Sequence, residues 1–145
     1  MPRPAPWRLS PDAYPHSQAV QTRFQDMDVL GHLNNVAFAA LFETGRTKFN
    51  HAAQLWGQAA RGRRAVVARA EINYLAEGSY PEDVEIATGI GAIGNRSWDI
   101  LAAMFQHGRC IATCDVTIVM DKDGAGNGLP DAFKATLSTW RVRSS

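Results

Sequence analysis

Two aspartates one residue apart, Asp26 and Asp28, open a stretch that goes on through Gly31 and His32 to Asn34 and Asn35. Carboxylates, an imidazole and two carboxamides so close together could do chemistry. A carboxylate can attack an activated carbonyl, or it can take a proton from water. A helix start supplies the complement: its first N–H groups lack intrahelical acceptors and sit at the positive end of the helix dipole. Asn34 and Asn35 are good capping residues, and a long helical pattern follows them. The stretch can therefore set one carboxylate beside donors for a developing oxyanion. The same residues also suit a solvated capping loop, and their spacing alone leaves both readings open.

The elements that must position this stretch can be read from periodicity. Before it, 19–24 reads as a first strand, with Val20, Thr22 and Phe24 on one side. After it, Asn35 to about Trp56 reads as one helix. Phe38, Phe42, Gly45, Phe49, Ala52 and Trp56 step by four and three along a single face. Its first turns are apolar nearly all round, which predicts a helix enclosed by the rest of the fold. Gly57 is a plausible stop. Arg61, Arg63 and Arg64 then form a basic loop, read as solvated.

Four strand-like runs follow, 66–74, 84–93, 98–106 and 110–120, each alternating with period two. Gly94-Asn95 marks a tight hairpin, and His107-Gly108 another turn. Residues 121–128 form a glycine-rich loop without the lysine and following helix of a phosphate loop. Residues 130–139 predict a short terminal helix, with Trp140 anchoring the tail. Cys110 and Cys114, four apart on a strand, would share a face but stand about 13 Å apart, too far for a disulfide. The expectation is an α+β domain: an antiparallel sheet of five to six strands wrapped around one long central helix.

The chain has 145 residues, one domain's worth, preceded by a leader over residues 1–16 that holds five of its seven prolines. The leader is expected to be extended, with Trp7 and Tyr14 as residues that could dock on the body, and 17–145 forming the domain. A net charge of +1 gives no basic field to draw nucleic acid or a membrane surface. No apolar run approaches a membrane span, and no secretion signal opens the chain, so a cytoplasmic location is expected. No Cys/His cluster has zinc spacing, and no metal site is expected. The sheet's edges and the greasy helix predict a homodimer or homotetramer.

Together these features resemble the hotdog-fold acyl-CoA thioesterases, in the branch of 4-hydroxybenzoyl-CoA thioesterase and its long-chain acyl-CoA relatives. The matching residues are Arg23-Phe24, Asp26, Asp28, Gly31-His32, Asn34-Asn35, then Phe42-Glu43 and Arg46. Later ones are Ile72, Tyr74, Pro81, Asp83 and Ser97. The resemblance implies a hotdog fold and hydrolysis of an acyl thioester carried on CoA or acyl carrier protein. Asp28 would be the catalytic carboxylate, as nucleophile or as base. The backbone N–H near Asn35 would polarise the thioester oxygen, and Asn34 and His32 would orient water or substrate. Glu43, Arg46 and Ser97 would contact substrate, although Glu43 and Arg46 also suit an i,i+3 ion pair. Such a mechanism needs no metal and no bound cofactor. Phe38 stands where the family often has tyrosine, and Gly-His-x-Asn-Asn points toward fatty-acyl relatives.

Two other functions compete. Hotdog hydratases and dehydratases also act on acyl thioesters, but often with proline or glycine after the histidine; here Leu33-Asn34-Asn35 follows His32. A non-catalytic acyl-CoA-binding regulator would usually add a DNA-binding segment, which a proline-rich leader cannot form.

Overall fold

The computed structural model describes residues 3–55, 65–120 and 128–144. Five strands form one antiparallel sheet: β1 (His16–Val20), β2 (Ala65–Tyr74), β3 (Val84–Ile93), β4 (Ser97–Gln106) and β5 (Arg109–Met120). Their order is β1-β3-β4-β5-β2. One long helix, α1 (Asn35–Ala52), packs on the inner face against β1, β3 and β4. A short helix, α2 (Asp131–Thr139), closes one end of the core. There Phe133 stands edge-on to Trp98, at 5.0 Å between ring centres.

The helix lies where its pattern predicts. Phe38, Leu41, Phe42, Gly45 and Phe49 are buried against the sheet. Gly45 permits the contact, because a Cβ there would collide with Ile86 of β3. Ala53, not Ala52, continues the buried face, and Gln54 leaves the helix at φ 57°. The expected stop near Trp56 and Gly57, the basic loop and most of the glycine-rich loop lie outside the described residues. Enclosure is only half realised in the single chain: Val36 is 71% exposed, and Ala39 and Ala40 are also open.

Several sequence expectations are corrected. The first strand ends at Val20, and Phe24–Asp26 is a 3-10 turn. Asp26 draws the chain round by accepting the Arg23 backbone N–H at 2.8 Å. In β2 a register shift between Val67 and Arg69 breaks the single apolar face. A bulge of this kind adds one residue and flips the alternation. Ile72 and Ala65 consequently both pack on the main core. A second shift, where Phe105 opposes Cys110 but Met104 opposes Ala112, separates the cysteines. Cys114 faces the main core, while Cys110 packs with the outer cluster.

The leader is a packed element. Two 3-10 turns, Pro6–Leu9 and Pro11–Ala13, lay Tyr14 and Arg8 on the outer face of the sheet. Tyr14 and Ala13 join Ala87, Ala103 and Phe105 in a second apolar cluster. The C-terminal tail locks it, as Arg143 donates its backbone N–H to Ala13 at 2.8 Å and its guanidinium to the Asp12 carbonyl at 2.7 Å.

Candidate active site

Between β1 and α1 the chain makes a small antiparallel excursion that ends at the helix cap. Asn34 N–H donates to the Asp26 carbonyl at 2.9 Å, Met27 bridges Leu33, and Asp28 N–H donates to the His32 carbonyl at 2.8 Å. Asp28 thus sits two residue pairs beyond Asn34, about 7 Å by strand rise. Gly31 takes φ 83°, which closes the turn.

The two aspartates do different work. Asp26 is 4% exposed. Its Oδ1 accepts two bonds from the Arg23 guanidinium, at 3.2 and 2.9 Å, and its Oδ2 accepts the Arg23 backbone N–H. The guanidinium hydrogen bonds and the carboxylate charge raise the Arg23 pKa. Asp28 is exposed. Its Oδ1 accepts the backbone N–H of Leu30 at 2.9 Å and of His32 at 3.3 Å. Among the described residues no donor is found on its Oδ2. One oxygen therefore holds the turn, and the other is free to meet a carbonyl or a water.

Asn34 is the helix cap, accepting the Ala37 N–H at 2.8 Å through its side chain. Among the described residues, the backbone N–H groups of Asn35 and Val36 meet no protein acceptor, as expected of a first turn. The rim is apolar, with Val29, Leu30 and Val36 all exposed.

Asp28, His32, Asn34 and Asn35 thus converge on one turn and helix start. His32 does not point back to Asp28: its Nε2 lies 3.0 Å from Glu77 Oε2. Neither Glu77 nor Gly78 was expected at this site; the sequence marks Gly78 only as part of the turn-rich run 76–83. The Leu33 N–H donates to the Gly78 carbonyl at 2.9 Å, and a Cβ on Gly78 would press on Leu33. The only hint in the sequence is the turn-rich run after β2.

Glu43 and Arg46 lie elsewhere on α1, facing a cavity of about 210 Å³ against β2, β4 and β5. Arg46 Nη2 stands 3.9 Å from Glu43 Oε2. Ser97 is half-buried at the β3–β4 hairpin, at the other end of the sheet from the Asp28 turn. The ten-residue β3 separates the two by about 30 Å within one chain. Among the described residues no cluster of His, Cys, Asp and Glu could hold a metal ion, and no helix is long and apolar enough to cross a membrane.

The arrangement is similar to known proteins over most of its length. The PA5185 protein of Pseudomonas aeruginosa PAO1 superposes with a TM-score of 0.79 at 23% identity, over 94% of this chain and 98% of that one. A thioesterase from Thermus thermophilus, in complex with coenzyme A and zinc, gives 0.76 at 25% identity, over 88% and 95%. A predicted thioesterase from Bacillus stearothermophilus gives 0.76 at 27%, over 89% and 98%. No curated protein sequence matches the chain. The sequence profile of the thioesterase-like superfamily spans residues 22–137, taking in the Asp28 turn, α1 and all but the first strand of the sheet, and on that ground the chain belongs to this superfamily.

Proposed function

We propose that this protein hydrolyses acyl-CoA thioesters, with Asp28 as the reacting carboxylate. One observation carries the assignment of Asp28. A paired turn holds the Asp28 carboxylate by a single oxygen, a few ångströms beyond a helix start whose first amides have no protein acceptor among the described residues. The thioester carbonyl would lie between them. Asn35 N–H would grip its oxygen as negative charge develops. Asp28 Oδ2 would attack the carbonyl carbon, expelling thiolate and leaving an anhydride for water to open; or it would take a proton from a water that attacks. Asn34 sets the helix start, and His32 fixes the far side of the turn through its backbone N–H and its ring contact to Glu77. CoA is the favoured carrier, given the coenzyme A complex of the Thermus thermophilus relative.

The site is completed in this reading by a second copy of the chain. β2 is an edge strand on which Val66 and Val67 are 45% and 52% exposed. An unpaired apolar edge invites another strand, and antiparallel pairing of two such edges builds a closed two-fold dimer. The exposed Val36, Ala39 and Ala40 on α1 would be covered with it. A cytoplasmic location, where acyl-CoA is met, belongs to the same proposal.

The test is a screen of purified protein against acyl-CoAs of graded length and aromaticity with thiol detection, repeated with Asp28→Asn. Thiol release that disappears in the variant supports the reading. Equal turnover by both proteins removes Asp28 from the mechanism, and loss of an enoyl absorbance without thiol release would mark a hydratase instead. For assembly, Val66→Lys should shift the sedimentation of the protein from dimer to monomer.

A further inference from the structure

We infer that the cavity beneath the second half of α1 is a subsite for acyl groups whose far end carries a carboxylate, with Arg46 as the residue that selects it. This rests on the thioesterase reading above and adds a substrate class to it.

The cavity has two unlike walls. Glu43, Arg46, Thr47 and Asn50 line it from α1 at i, i+3, i+4 and i+7, one helix face. Val67, Trp98 and Ile118 line it from the sheet. At about 210 Å³ it has room for a small organic group. The Arg46 side chain is only 15% exposed, yet its one carboxylate neighbour, Glu43, is 75% exposed and stands at 3.9 Å, beyond hydrogen-bonding distance. Among the described residues no other acceptor meets the guanidinium.

A guanidinium largely out of water, with only a loose ion pair to an exposed carboxylate and no hydrogen-bond acceptor among the described residues, is costly to leave beside a plain alkyl chain. A carboxylate matches it in plane with two parallel N–H bonds, and an apolar body of the ligand would cover the sheet wall. Glu43 sits at the mouth, where it can swing away as the carboxylate enters. Arg46 lies eleven residues along α1 from Asn35, about 16 Å by helical rise, and helical side chains lean back toward the N-terminus. An acyl chain of intermediate length therefore spans the distance, and a short one leaves the subsite empty.

The test compares pairs of acyl-CoAs of equal length ending in methyl or in carboxylate. Wild-type protein should prefer the carboxylate member by about tenfold in kcat/KM at intermediate length, the worth of one charge-assisted hydrogen-bond pair. In Arg46→Met that ratio should collapse toward one. Glu43→Gln, on an exposed side chain, should raise it, which keeps the test alive if Arg46→Met folds poorly. Calorimetry with the non-hydrolysable thioether analogues reads binding without turnover. If those analogues show the Arg46-dependent preference while no thioester is cleaved, the hydrolase reading fails and the subsite stands. Equal affinity for both ends, or a preference that survives Arg46→Met and ignores Glu43→Gln, overturns the subsite.

Discussion

On the outer face of the sheet, Arg8 engages its guanidinium inside the chain. It donates to Tyr14 Oη at 2.8 Å and to the Ala102 carbonyl at 3.2 Å, and its Nη2 forms an ion pair with Asp115 Oδ1 at 2.8 Å, while Tyr14 Oη donates back to the Arg8 carbonyl. Burial works against the Arg8 charge, but the Asp115 bond and Tyr14 outweigh it, and its pKa is raised. On the inner side, the Asp28 turn and the helix start leave a carboxylate oxygen and amides without protein partners among the described residues, under a rim of exposed Val29, Leu30 and Val36. Both regions are tight networks around one charged side chain. One is closed within the chain, and its work is to hold the leader down. The other is closed on its backbone and open at its tip, the condition for meeting a second molecule.

The sharpest way to break this contrast is Asp28→Asn. The amide oxygen can still accept the Leu30 and His32 N–H groups, so the turn should persist and the melting temperature should barely move. Thiol release should fall by two or more decades, on the order of 3 kcal/mol of barrier. A variant that melts early as well as losing activity would show that Asp28 is structural. Arg8→Met is the counterpart on the closed side. It strands Asp115, which is 28% exposed, so the cost should be below that of a fully buried broken pair: about 2 kcal/mol of stability, or roughly 7 °C in Tm by calorimetry. Thiol release well below the melting temperature should be unchanged. Asn34→Ala falls between the regions, since it removes the cap that joins turn to helix. About 1 kcal/mol of stability should go, measured by urea denaturation, together with part of the rate.

How much of this the sequence carried differs between the same two regions. The turn at Asp28 and the helix start were legible because their geometry is local: two acids, a glycine and two asparagines lie within ten residues. The long helix and strands β3 to β5 were legible because burial imposes periods of 3.6 and two. The Arg8 buckle was not, because its partners Ala102 and Asp115 lie far along the chain; the prolines suggested an extended leader, with only Trp7 and Tyr14 marked as residues that could dock. Both bulges were hidden for a related reason. Val67 to Arg69 and the Cys110–Ala112 region read as unbroken alternation, and only the opposing strand reveals the extra residue. Glu77 was hidden too, since what gives it meaning is His32 on another loop.

The smallest effect concerns His16, at the join between leader and core. Its ring stands edge-on to Phe49 at 5.5 Å, and its Nδ1 is buried with no hydrogen-bond partner among the described residues. Burial lowers its pKa below the ordinary 6.5, because the charged ring would lose hydration and gain no acceptor. The unfolded chain takes up a proton near pH 6.5 that the folded chain refuses. Above that pH the group contributes nothing to the pH dependence. As pH falls through 6.5 toward the folded-state value, stability is lost. His16→Phe keeps an aromatic edge against Phe49 and cannot titrate. The difference in melting temperature between about pH 7.5 and about pH 5.5 should therefore be smaller in this variant than in the wild type. An unchanged difference would mean that the ring takes its proton in the folded state as readily as in the unfolded one, and that the join is open to water.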